Sequence, residues 1–271
     1  MMERRDEEIK LLLARVDELC DRAVRGRFVH TDFLTPREAN HAAEHLRRRG
    51  EWGRARLHGG YAAAERVCLL LFPDYVMDAY GEDTEPPSVA DLLAMAGEDD
   101  PVAALSVRAS GYRALCHRDY LGSLLSLGLE REVLGDIALD GNDATVLCMA
   151  RMIPFLLENI ERIGGDVVRA ERATLPPDFD GGRTFAPICD TVASARLDGI
   201  VAALCNLSRE AAQTAVRDGL VELDYECEMR PDRTLEAPCI ISVRGKGKFA
   251  LRELGALTKK GRIRLTADQY L

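Results

Sequence analysis

Apolar residues at Ile9, Leu12, Leu13, Val16 and Leu19 recur at helical spacing and predict a helix over residues 2–24. Thr35-Pro36 predicts the start of a second helix running to Arg49, because proline fits the first helical position. A short strand at residues 56–58 is broken by Gly59-Gly60. Pro86-Pro87 makes residues 82–88 an exposed loop or linker. From Pro101 onward the pattern changes. Residues 102–110 read as a strand, and residues 117–129 as a helix with Leu121, Leu124, Leu125 and Leu129 on one face. Residues 136–139 and 144–148 read as two strands joined through Gly141-Asn142. Ile153, Leu156, Leu157 and Ile160 predict a helix over 152–163 that ends at Gly164-Gly165, and a strand follows over 167–172.

The order βαββαβ is the ferredoxin-like arrangement. Three prolines and two glycines between Leu175 and Pro187 mark a domain boundary. Beyond it, Ser194 reads as an N-cap for a helix carrying Leu197, Ile200, Val201 and Leu204. Ser208 caps another helix, which ends at Gly219. Its Ala211, Ala212, Ala215 and Val216 can face inward, while Arg209, Gln213 and Arg217 share the opposite face. Strands follow at 220–223, 240–244 and 249–252, the last two joined by Gly245-Lys246-Gly247-Lys248. The expected fold is α+β: a helix-rich N-terminal region (1–90), a ferredoxin-like middle domain (91–175) and a small α+β domain (188–271).

Charge changes the picture more than composition does. The formal net charge is −9, which by itself disfavours a polyanionic partner. The distribution points the other way. Arg244, Lys246, Lys248, Arg252, Lys259, Lys260, Arg262 and Arg264 crowd the C-terminal stretch, with Glu253 the one acid between the first and last of them. Such asymmetry fits an anionic partner; a solvated charged hairpin is the plainer reading. The eight cysteines show no CxxC spacing, so buried free thiols in a reducing cytoplasm are expected rather than disulfides or zinc. No apolar run is long enough to span a bilayer, and residues 1–10 lack the apolar core of a signal peptide. His41-Ala42-Ala43-Glu44-His45 spells HxxEH, but no partner motif supplies a third ligand, so no metal site is expected.

The C-terminal pattern Arg196-Leu197-Asp198, Ser208-Arg209, Ala212, Gly219-Leu220-Val221 and Ile241-Ser242-Val243-Arg244-Gly245 resembles the RNA-binding domain first described in ribosomal protein S-four. That domain has an αL-type fold of two helices against a small sheet. The chain departs from it in having Asp224-Tyr225 where the domain usually has Asn-Gly, and Pro238-Cys239 where it usually has Gly-Asp. Upstream, residues 32–38 (Asp-Phe-Leu-Thr-Pro-Arg-Glu), Gly59-Gly60-Tyr61, Ala64-Glu65-Arg66, the stretch from His117 to Arg131, and Gly135-Asp136-Ile137 resemble the YlmH family. The resemblance implies a cytoplasmic protein that binds rRNA or tRNA on the large ribosomal subunit. It further implies a link to ribosome-associated quality control of stalled peptidyl-tRNA complexes. No membrane, cofactor or small-molecule substrate is expected.

The implied RNA contacts are Arg196, Ser208, Arg209, Arg217, Arg244, Lys246 and Lys248 in the last domain, with His117, Arg118 and Arg131 in the middle one. Guanidinium groups suit phosphate because they offer a planar fork of donors. A helix N-terminus adds backbone N–H groups. The plainer reading of Arg196 is a surface ion pair with Asp198. Two alternatives differ in class. One is an RNA-modifying enzyme, because pseudouridine synthases carry the same small domain and a catalytic aspartate in an Arg-Leu-Asp triplet. The only such triplet here, Arg196-Leu197-Asp198, falls inside the binding domain, so no catalytic residue is expected. The other is a cell-division adaptor, which would carry no RNA.

Overall fold

The computed structural model describes residues 2–79, 87–258 and 260–271, without the side chains of residues 2–5. The loop expected at 82–88 lies outside the described residues as far as residue 86, and so does Lys259. The fold mixes helices with three antiparallel sheets and divides into two compact units, Met1–Gly182 and Arg183–Leu271.

The first unit begins with α1 (Met2–Val24), β1 (Val29–His30), α2 (Pro36–Arg49), β2 (Ala55–His58) and β3 (Cys68–Leu71). Thr35 and Glu38 form a reciprocal capping box at the start of α2. The three strands pair in the order β1-β3-β2. Leu69 and Leu71 on β3 pack with Val16, Leu19 and Leu46 of the two helices. Cys68 and Leu70 point to the opposite side, into a second core with Phe33 and Phe72. A strand buried on both faces has no polar alternation, and this is why residues 68–71 gave no strand signal in the sequence.

Two short helices, α3 (Asp74–Met77) and α4 (Val89–Ala96), lead to β4 (Val102–Ala109), α5 (His117–Ser126), β5 (Leu134–Asp140), β6 (Asp143–Met149), α6 (Ile153–Asn159), β7 (Arg162–Ile163) and β8 (Asp166–Ala173). The sheet order is β5-β6-β4-β8-β7, with every pair antiparallel. The helix expected over 152–163 stops earlier. Ile160 is already extended, and Arg162–Ile163 turns back on β8 through Gly164-Gly165, both at positive φ. Those glycines therefore serve a two-residue hairpin and do not cap a helix. Among the described residues, Phe33 and Leu70 of the expected N-terminal region and Leu105, Leu124 and Leu147 of the expected middle domain share a core within one compact unit.

The second unit contains β9 (Phe185–Val192), α7 (Leu197–Leu204), α8 (Arg209–Arg217), β10 (Val221–Leu223), β11 (Glu226–Cys227), β12 (Cys239–Val243), β13 (Gly247–Leu257) and β14 (Ile263–Tyr270). Its six-stranded sheet runs β11-β10-β12-β13-β14-β9. Leu197, Ile200, Val201, Ala212 and Val216 from the helices pack on Ile241, Phe249, Leu251 and Leu265 from the sheet. Three features differ from expectation. The helix starts at Leu197 and not after Ser194, because a β-bridge between Arg196 and Thr234 keeps the preceding backbone extended. The boundary segment 175–187 gives up its last residues to β9, and β14 is absent from the expected strands. Cys116, Cys189 and Cys227 are exposed, whereas Cys20, Cys68, Cys148 and Cys239 are buried as expected; all eight thiols are free.

Candidate functional site

The carboxylate of Asp198 organises the two-helix surface of the second unit. It sits in the first turn of α7 and is fully buried. Arg196 donates to it from Nε at 3.2 Å and from Nη2 at 3.1 Å. Gln213 Nε2 donates from the middle of α8 at 2.8 Å, and the Gly199 backbone N–H donates at 2.8 Å. Arg209 Nε, from the first turn of α8, approaches at 3.4 Å. The 37% and 57% exposure of the Arg196 and Arg209 side chains leaves guanidinium edges facing solvent. One negative charge thus holds two positive ones in register, so the cluster keeps a net positive charge.

Burial opposes ionisation of Asp198, but the hydrogen bonds from Arg196 and Gln213 and the charges of Arg209 and Arg196 outweigh it. Its pKa falls from 3.8 to about 2. The Arg196 guanidinium is correspondingly held more firmly protonated by its hydrogen bonds to that carboxylate.

Ser208 Oγ accepts the Ala211 N–H at 3.1 Å and caps α8, so its side chain acts on the helix start. Arg217 is exposed at the other end of α8. Arg244 and Lys246 are exposed at the β12–β13 turn, and neither has an ion-pair partner among the described residues. Burial raises the pKa of the Cys205 thiol, just past the end of α7, and the charge of Lys246 opposes that rise. Lys248 lies on the other side of the sheet, against aromatic rings. Beside the Asp198 cluster is a cleft of about 380 Å³, lined in part by Ser194, Gly199, Asn206, Leu207, Arg209 and Arg262. Nothing in the sequence pointed to this cleft, which depends on β9 approaching the helices.

In the first unit, His117 and Arg118 are exposed in the first turn of α5. Partial desolvation by the surrounding chain and the nearby charge of Arg131 lower the His117 pKa. Arg131 itself is half-buried. Its Nη1 donates to the carbonyls of Leu134 at 2.6 Å and Gly135 at 3.2 Å, and burial lowers its pKa to about 10. The motif residues around it are structural ties. Buried Arg66 donates to the carbonyls of Leu134, Phe33 and Arg131. Asp136 accepts from the Tyr61 hydroxyl and from the backbone N–H groups of Glu65 and Arg66. A Cβ on Gly135 would lie 2.8 Å from the Phe33 ring, so glycine is required there. His45, in the HxxEH spelling, bonds Asp17 of α1 at 2.7 Å.

Two family profiles match the chain: "YlmH, N-terminal" over residues 8–76 and "Putative RNA-binding domain in YlmH" over residues 105–176. A relative from Bacillus subtilis (strain 168), named "Ribosome-associated protein quality control protein P2", is 30% identical over 241 residues, covering 88% of this chain and 86% of the relative. A solved structure, "Cell division protein ylmH from Streptococcus pneumoniae", is 19% identical, with a TM-score of 0.48, over 61% of this chain and 91% of that one. No helix among the described residues is long and apolar enough to cross a membrane.

Proposed function

The chain belongs to the YlmH family, and from that premise we propose that it binds structured RNA on the large ribosomal subunit through the α7–α8 surface. The single observation that carries this reading is the Asp198 clamp. It fixes two half-exposed guanidinium groups at the starts of consecutive helices, where their free edges can pair with phosphate oxygens. The reading is supported by the printed name of the Bacillus relative, which ties that protein to ribosome-associated quality control. The bound RNA is rRNA or tRNA, and the cellular role is rescue of stalled peptidyl-tRNA complexes.

The second unit is an S-four-type domain in this account: two consecutive helices packed on an antiparallel sheet, with Asp224 and Tyr225 both at positive φ in the turn where that domain usually has Asn-Gly. The middle region is ferredoxin-like, supported by its βαββαβ order and by a sheet in which the first and third strands are central.

The protein is a binder and not an enzyme. In the Arg196-Leu197-Asp198 triplet the aspartate is buried and accepts from four donor groups, so it serves as a structural tie and cannot reach a nucleobase. Crosslinking in cells, followed by sequencing of the bound RNA, tests the proposal. Enrichment of large-subunit rRNA or tRNA is expected. Recovery of no RNA above background would refute it and favour the cell-division adaptor.

A further inference from the structure

The end of β9, one side of α7 and the residue before β14 wall the cleft beside Asp198. Gly199, Ala202 and Ala203 share the side of α7 that lines it, and none carries a side chain longer than a methyl group. Arg209 and Arg262 both line the cleft. Arg262 donates from Nε to Thr191 Oγ1 at 2.8 Å and from Nη2 to the Thr191 carbonyl. Both acceptors are neutral, and Arg262 has no carboxylate partner among the described residues, so its positive charge is not cancelled. Asp190 is the acid of the lining, and its Oδ1 accepts the Thr191 N–H at 2.6 Å. The Ser194 hydroxyl and the Asn206 amide also line the cleft. Neither side chain has a hydrogen-bond partner among the described residues. Asn206 is held at φ 52, a left-handed conformation that asparagine tolerates better than most residues.

We infer that this cleft receives one nucleotide turned out of the RNA strand that lies on the α7–α8 surface. The base enters between β9 and α7, where Ser194, Asn206 and the second oxygen of Asp190 meet its edge. Arg209 and Arg262 meet the flanking phosphates. The inference rests on the RNA-binding reading above and deepens it, by adding a base contact to a surface that otherwise holds only phosphate. Four observations select this occupant. Arg209 belongs to both places: it lines the cleft and bonds Asp198 in the clamp, so a strand held at the clamp by its phosphates is already at the mouth of the cleft. The charge suits a nucleotide, because Arg209 and Arg262 face Asp190 alone in the lining, and adding the Arg196–Asp198 pair leaves the sum positive. The volume of about 380 Å³ lies at the small end of the range for pockets that take one small ligand, so a single nucleotide enters and a duplex does not. Finally, an unstacked base has lost the partners of its hydrogen-bonding edges, and the unpartnered hydroxyl and amide supply new ones.

The test titrates the full chain with a hairpin RNA whose stem carries one unpaired adenosine, with the same hairpin lacking it, and with AMP. Adenosine is chosen because a side-chain amide bonds adenine at two points. The bulged hairpin is expected to bind about 5- to 100-fold more tightly than the plain one. Ala203→Leu fills the floor of the cleft. Asn206→Gly removes the amide and keeps the left-handed backbone. Each is expected to erase the preference for the bulge and to leave plain-hairpin binding within about 2-fold. Retained binding of the plain hairpin also shows that the unit is folded and the clamp intact. If the wild type binds both hairpins equally, or if either variant keeps the preference, the cleft assignment fails and the clamp reading stands. If the wild type binds neither hairpin, both fail. AMP lacks the strand that reaches the clamp, so it is expected not to compete. Displacement of the bulged hairpin by micromolar AMP would assign the cleft to a free nucleotide and overturn the RNA assignment.

Discussion

Asp198 is the residue on which the site's geometry depends. A carboxylate buried without partners costs several kcal/mol, and here four donor groups offset that cost. Asp198→Asn keeps the shape and removes the charge. The expected outcome is a loss of about 2 kcal/mol in the unfolding free energy of the second unit at neutral pH, read from urea midpoints. The folded pKa of about 2 lies below the ordinary 3.8, so the contribution is fully present above that ordinary value and disappears as pH falls toward 2. The gap between wild type and variant should therefore be flat from pH 7 to about pH 4.5 and narrow below about pH 4. A gap independent of pH would show that the charge is not what the arginines hold. The residues of this cluster were legible one by one in the sequence: Arg196 and Arg209 stood out as guanidinium groups near helix starts. The convergence of Arg196, Arg209 and Gln213 on one oxygen pair was not, because it depends on the crossing of two helices. The ion pair weighed as the plainer alternative for Arg196 does form, and it orients the guanidinium without burying it.

Elements succeeded or failed as sequence signals according to how many of their faces are buried. Helix α2 carries a capping box, proline at its first turn and a glycine C-cap at φ 75, and its limits were readable. Strand β3, buried on both sides, carries no such pattern, whereas β14 alternates Ile263, Leu265 and Ala267 with Arg264, Thr266 and Asp268, as a strand packed on one face does. Helix α8 depends on its cap: Ser208→Ala should cost about 1 kcal/mol in chemical unfolding, whereas Ser208→Asp, which also accepts the Ala211 N–H, should retain most of it. Equal destabilisation by both substitutions would contradict a capping role. The glycine-rich motifs that suggested a family proved to be joints. Arg66 ties the loop before β3 to the carbonyls of Phe33, Arg131 and Leu134, the last at the start of β5. Arg66→Met keeps the aliphatic bulk and strands those acceptors, so a loss of about 3 kcal/mol is expected in thermal or urea unfolding of the first unit. A change under about 0.5 kcal/mol would mean that the carbonyls find other donors.

For the whole molecule, the question is how an acidic chain attracts a polyanion. A net charge of −9 repels RNA at long range, but over distances beyond about 8 Å that repulsion is screened at physiological ionic strength. Contact then depends on the local surface, where half-buried Arg196 and the exposed Arg209, Arg217, Arg244 and Lys246 lie in one small unit. Each cation that neutralises a phosphate releases counterions, so RNA affinity should fall with salt. Arg217→Ala should reduce the log–log salt slope by about 1 in hairpin-RNA titrations, and an unchanged slope would remove Arg217 from the contact. The most direct test of the account is co-sedimentation of the full-length chain with purified large ribosomal subunits, comparing wild type with an Arg196→Ala, Arg209→Ala double variant. The account predicts that the wild type pellets with the subunits and the folded double variant stays in the supernatant. Equal pelleting of both would contradict it.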